Sequence, residues 1–168
     1  MPTQIRRARA DDAGAVAEIY NQGIRARTAT FETEPRTADD RRRVIESQSD
    51  RFPILVAEFE GDVIGWASLT EHSPRACYRG IAECSVYVDE RHHGRGAGRA
   101  LLDALLAEAA RLGYWKLVSR AFLFNEASRA MCRRAGFREV GVYERHAQLD
   151  GEWLDVVIVE RLIPENQR

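Results

Sequence analysis

The 168 residues are 45% hydrophobic and 30% charged, an ordinary balance for a water-soluble chain long enough to bury a core. Lys and Arg number 25 against 26 Asp and Glu, and the net charge of −1 argues against general attraction to nucleic acid or an anionic membrane. The start lacks an apolar signal core, no run approaches the roughly 18 apolar residues of a membrane helix, and Cys77, Cys84 and Cys132 form no Cys-x-x-Cys pair. A single cytoplasmic domain over residues 1–168 with reduced thiols is the expectation.

In chain order, Ile5 to Ala8 reads as a short strand. Asp11-Asp12 suits a helix N-terminus, and Val16, Ile19, Tyr20 and Ile24 follow at helical spacing. Arg27 to Pro35 is polar and nonperiodic. Thr37-x-x-Asp40 resembles a capping box and opens a polar helix to about Gln48, whose arginines read as a solvated face. Pro53 to Glu58 and Val63 to Leu69 form a hairpin around Glu60-Gly61-Asp62. A polar link, Thr70 to Gly80, leads to a strand over Ala82 to Val88.

A helix starting near Gly98 carries Leu101, Leu102, Leu105, Leu106, Ala109 and Leu112 on one face. Gly113 ends it, and Trp115 to Ser119 is a further strand. Asn125 caps another helix, which Gly136-Phe137 terminates. Arg138 to His146 and Trp153 to Leu162 read as strands joined around Asp150-Gly151, a strong hairpin signal. The fold class is α+β.

The stretch of most chemical interest joins the Ala82–Val88 strand to the following helix: His93-Gly94-Arg95-Gly96-Ala97-Gly98-Arg99. Glycine permits positive φ and close backbone approach, and a helix start offers unpaired N–H groups and a positive dipole end. Such a loop suits phosphate or diphosphate, with Arg91, Arg95 and Arg99 adding positive charge. A tight turn that merely tolerates glycine is the simpler alternative. The chain has no Gly-Lys-Ser/Thr loop, and its Gly-x-Gly-x-Gly spacing differs from the dinucleotide fingerprint.

Glu83 is a carboxylate in the middle of an otherwise apolar strand. Burial raises a carboxyl pKa toward the range useful to a base, so Glu83 is the candidate general base; an exposed carboxylate ion-paired with Arg79 is the alternative. Arg75 lies eight residues before it and Tyr78 five, and arginine binds acid groups bidentately. His92-His93 lacks a third ligand at metal spacing, so no metal is expected. Trp66, Trp115 and Trp153 read as core or interface residues, and His146 as surface or pocket lining.

Arg91-x-x-Gly94-x-Gly96, set between a strand and an amphipathic helix, resembles the coenzyme A-binding signature of the GNAT superfamily of N-acetyltransferases. Asn125-x-x-Ser128 before Gly136-Phe137 is similar to its second signature, and the order of elements is that of the family. The resemblance narrows with Ile19-Tyr20-Asn21, Thr30-Phe31-Glu32-Thr33-Glu34-Pro35, Arg75-x-x-Tyr78, Glu83 to Val88 and Asp150-Gly151-x-Trp153-x-Asp155. Together they resemble the phosphinothricin, methionine sulfoximine and arsinothricin N-acetyltransferase branch.

That resemblance implies a mixed, mostly antiparallel sheet of about seven strands flanked by about four helices, acetyl-CoA as cosubstrate, a homodimer, and acetylation of the α-amino group of a small glutamate-like amino acid. It implies that Val86, Tyr87, Val88, the loop from His93 to Arg99, Asn125 and Ser128 hold acetyl-CoA. Asn125 would bond the pantetheine arm. Ser73, Pro74, Arg75, Tyr78, Glu83, Cys84 and Ser85 would meet the small-molecule amine, with the first helix and the loop after it lining the same pocket. Cys132 stands where many family members carry a tyrosine that protonates the leaving thiolate. Acetylation of peptide or protein N-termini, and a non-catalytic acyl-CoA-binding module, are the competing readings.

Overall fold

The protein is described by a computed structural model covering residues 2–168. In chain order the elements are β1 (Gln4–Arg7), α1 (Ala13–Ala26), α2 (Ala38–Glu46), β2 (Ile54–Phe59), β3 (Asp62–Glu71), β4 (Ile81–Val88), α3 (Ala97–Arg111), β5 (Lys116–Phe122), α4 (Glu126–Arg134), β6 (Arg138–Leu149) and β7 (Glu152–Leu162). The strands form one seven-stranded sheet in the order β1-β2-β3-β4-β5-β7-β6. Every pairing is antiparallel except β4 with β5. This is the mixed α+β architecture expected from the sequence.

Strand alternation assigns the two faces of the sheet. Ala67 and Leu69 of β3 and Ala82 and Cys84 of β4 pack with Leu101, Leu102 and Leu105 of α3 and Phe137 beyond α4. Val56 of β2 and Trp66 of β3 face the other way, into Val16, Ile19, Tyr20 and Ile24 of α1 and Ile45 of α2. Each fully buried aliphatic side chain contributes about 1.5–3 kcal/mol. The stripe on α1 therefore fixes that helix on the sheet more firmly than the single buried residue of α2, Ile45, fixes its own.

Local signals set the element ends. Thr37 Oγ1 accepts from the Asp40 amide at 3.1 Å, and the Asp40 carboxylate accepts from the Thr37 amide at 3.0 Å. This is the capping box expected at the start of α2. Asp150 and Gly151 have φ of 50° and 82°, as a tight hairpin with two left-handed residues requires.

Three expectations shift. β5 runs on to Phe122 because β7 pairs with it along its full length, ending at Phe122–Val156. β6 extends to Leu149, and irregularities at Glu139/Gly141 and Tyr143/Ala147 break the alternation that would have revealed its length. Trp115 lies just ahead of β5, where its ring takes the space that a Cβ on Gly80 would need.

Candidate functional site

The sheet opens at its one parallel junction. β4 and β5 pair only at Ile81–Lys116, Ala82–Leu117 and Glu83–Val118. One residue on, the Ser119 hydroxyl donates to the Cys84 carbonyl at 2.8 Å, and beyond that the strands part. Ser85 to Val88 therefore have no strand opposite on the β5 side and instead line a cleft of about 670 Å³. Glu83 lies at the last paired step, beside the opening.

The glycine loop closes the far end of the cleft. Asp89 is buried and caps the turn Glu90–His92, accepting from the Arg91 amide at 2.8 Å and from Arg91 Nη2 at 2.9 Å. That guanidinium holds the Asp89 carboxyl well below the usual carboxylate range. Gly94 and Gly96 have φ of 75° and 84°, the left-handed region that glycine reaches without a Cβ clash. Gly96 is the N-cap of α3 and no side chain caps that end, so the first-turn amides remain available to an anion.

The sequence-predicted cosubstrate residues gather here. Val86 to Val88, His93, Gly94, Gly96 to Arg99, Asn125 and Ser128 all line the cleft, whereas Arg95 does not. An extended ligand with a diphosphate at the α3 N-terminus and an arm between β4 and β5 fits this donor set. Several side chains are already engaged. Asn125 accepts from the Ser128 amide at 3.1 Å and donates to the Thr28 carbonyl at 3.0 Å, so its amide braces the cleft wall. Arg99 Nε is bonded to Asp103 at 2.8 Å and Arg91 to Asp89, leaving the backbone amides as the principal anion donors. Gln22, Thr28 and Arg134 also line the cleft and were not singled out in the sequence.

Glu83 is not the buried carboxylate expected from its strand position. Its side chain retains 32% exposure, because the parting of β4 and β5 uncovers it. It is ion-paired, as the alternative reading had it, but with His72 Nδ1 at 3.3 Å and Arg120 Nη2 at 3.7 Å in place of Arg79. His72 follows β3 and Arg120 lies on β5; neither drew notice in the sequence, since only the sheet brings them to Glu83. His72 also meets the Tyr78 ring edge-on at 6.1 Å, and the Arg75 guanidinium lies 5.6 Å from that ring. Arg75, Tyr78 and His72, on the link after β3, thus form a continuous line to Glu83 of β4. Pro74, Arg75 and Tyr78 are exposed, and none of Ser73, Pro74, Arg75 or Tyr78 lines the cleft.

A second groove, of about 470 Å³, lies on the α1–α2 face of the sheet. It shares Ser85 and Tyr87 with the first. Tyr20 and Glu32 line it, as expected for the first helix and the loop after it; the Tyr20 hydroxyl donates to Glu32 at 2.6 Å. Asn21 does not line it, and instead exchanges hydrogen bonds with the Arg36 backbone at 2.8 and 2.9 Å, which fixes the loop. Cys84 turns its side chain into the core, where burial pushes the thiol up to about 12. Cys132 lines the first cleft, and burial pushes its thiol up to about 11. Among the described residues no group of three His, Cys, Asp or Glu side chains is placed to hold a metal ion, and no helix is long and apolar enough to cross a membrane.

The sequence pattern of the acetyltransferase (GNAT) family matches residues 16–137. The chain is 34% identical over 160 residues to the phosphinothricin N-acetyltransferase of Streptomyces viridochromogenes, covering 95% of this chain and 87% of that one. It is 33% identical over 162 residues to the L-methionine sulfoximine/L-methionine sulfone acetyltransferase of Pseudomonas aeruginosa, covering 95% and 94%. The structure of a phosphinothricin acetyltransferase from Sinorhizobium meliloti in complex with AcCoA superposes with a TM-score of 0.90 at 29% identity, covering 97% and 89%. That of a ribosomal-protein-alanine N-acetyltransferase from Brucella melitensis superposes with a TM-score of 0.91 at 34% identity, covering 95% and 99%.

Proposed function

Because this chain belongs to the GNAT acetyltransferase family, we propose that it acetylates the α-amino group of a small glutamate-like amino acid, with Glu83 as general base. It is an N-acetyltransferase that uses acetyl-CoA. The observation that supports the finer reading is the end of the β4–β5 pairing at Glu83, two residues before Ser85, which lines both the cleft and the second groove.

Acetyl-CoA supplies the acetyl group as an activated thioester. The chain must take a proton from the ammonium, polarise the carbonyl and let the thiolate leave. Glu83 receives the proton, held in place by His72 and Arg120. A backbone N–H of the Val86 to Val88 segment, beside the gap, is the donor for the carbonyl oxygen. The uncapped α3 N-terminus and the Gly94–Gly96 loop hold the diphosphate. Arg75 and Tyr78 position the acceptor's α-carboxylate, which explains why they sit on the Glu83 side, outside the cosubstrate cleft.

Glu83→Gln tests the assignment. It is expected to lower kcat by roughly 10²-fold or more while acetyl-CoA binding by calorimetry is retained. Turnover within a few-fold of native would remove Glu83 from the mechanism. Acetylation of a peptide N-terminus is the second reading, favoured by the likeness to the Brucella melitensis structure.

A further inference from the structure

The second groove contains two polar atoms that its own chain leaves unanswered. Arg41 Nε and Trp66 Nε1 are buried N–H donors without a hydrogen-bond acceptor among the described residues. Trp66 is 5% exposed. Arg41 comes from α2, whose arginines the sequence presents as a solvated face. Arg43 fits that description, exposed and paired with Asp40 at 2.7 Å. Arg41 does not: it turns inward with its guanidinium 4.7 Å from the Tyr20 ring and 6.0 Å from Trp66, and it forms no ion pair within 4.0 Å among the described residues. Burying unpaired donors is costly, by about 1–3 kcal/mol for a neutral group and more for a charged one.

The floor of this groove leads to the reacting centre. Three cross-strand pairs run along it: Trp66–Tyr87, Ser68–Ser85 and Thr70–Glu83. Their side chains share one face, because alternate residues of a strand do. Each step is about 6.8 Å, so Glu83 lies two steps from the Trp66–Tyr87 end. The charges are graded along that line. At one end Glu71 lines the groove, and Glu83 lies just past the lining as the cross-strand partner of Thr70, where an ammonium would enter. At the other end Glu32, paired with Arg36 at 2.6 Å, also feels the Arg41 guanidinium, so two guanidiniums outweigh one carboxylate there. A dipolar ligand with an amine at one end and an acid at the other matches this gradient.

We propose that Arg41 and Trp66 form an anion subsite that receives the side-chain acid of the acceptor, selecting amino acids that carry a second acidic group. The inference rests on the acceptor reading above and adds a division of labour. Arg75 and Tyr78 take the α-carboxylate, which every amino acid has. Arg41 and Trp66 take the phosphinate or carboxylate that only the acidic acceptors have.

The test compares thiol release from acetyl-CoA with two acceptors, phosphinothricin with its charged phosphinate and methionine sulfoximine with its neutral side chain. Arg41→Met is expected to raise KM for phosphinothricin tenfold or more, leaving kcat and the KM for methionine sulfoximine within about twofold. Arg41→Lys should fall between the two, because lysine keeps the charge and loses the planar fork. Equal losses with both acceptors, or no change with either, would overturn the subsite. Glutarate, which has two acid groups and no amine, is the catalysis-free probe. Calorimetry should show glutarate binding to the native chain and at least tenfold weaker binding to Arg41→Met. No binding to the native chain, or equal binding to both, would also overturn it. If the native chain acetylates neither amino acid, the acceptor reading fails by itself and the glutarate result still decides the subsite.

Discussion

Cys132 lines the cleft and is the candidate donor to the leaving thiolate, but burial makes it a poor acid. Burial pushes its thiol up to about 11. A cysteine thiol in water has a pKa of about 8.5, so burial makes Cys132 a weaker acid by roughly 3 kcal/mol, and water can reprotonate the leaving thiolate without it. Cys132→Ala should therefore leave kcat within about twofold. It removes one buried atom against α3 and β4, at a cost of about 1 kcal/mol and a melting shift of a few degrees. The assay is thiol release at saturating acetyl-CoA, run beside thermal melts. A tenfold or larger loss of kcat at nearly unchanged melting temperature would refute the reasoning and return Cys132 to the mechanism.

Two further outcomes test the cleft. A Cβ on Gly98 would lie 2.9 Å from Met131 Sδ and 3.4 Å from Val88 Cγ2, so Gly98→Ala should displace the Met131 side chain into the cleft and raise KM for acetyl-CoA several-fold at little change in melting, with Met131→Ala partly restoring KM. Asp89 is depressed by Arg91, so the stability it contributes is complete above the unfolded carboxyl pKa of about 3.9 and is lost as pH falls below that toward the folded value. The melting deficit of Asp89→Asn should accordingly be constant from about pH 5 to 8 and narrow below about pH 4; a deficit that widens in acid would contradict the assigned pairing.

Local chemistry made the framework legible. The stripe of Val16, Ile19, Tyr20 and Ile24, the Thr37–Asp40 box, the Asp150-Gly151 turn and the glycine run each specify a structure within a few residues. The loop that closes the cleft was legible for the same reason, since it is one contiguous segment. What escaped is set by strand register and helix docking. His72 and Arg120 reach Glu83 from a neighbouring connection and a neighbouring strand. The exposure of Glu83 depends on where β4 and β5 stop pairing, which no pattern in either strand announces. Arg41 looks like its helix neighbours until α2 is laid over Tyr20 and Trp66.

The most direct measurement is thiol release from acetyl-CoA with a panel of amines: phosphinothricin, methionine sulfoximine, methionine, other plain amino acids and a peptide N-terminus. Fast release with the glutamate-like acceptors, and slow release with the peptide, is the expected result. Release with the peptide alone would contradict the small-acceptor assignment and move the activity to protein N-termini. Acetyl-CoA binding with no release from any amine would contradict the roles assigned to Glu83, Arg75 and Tyr78.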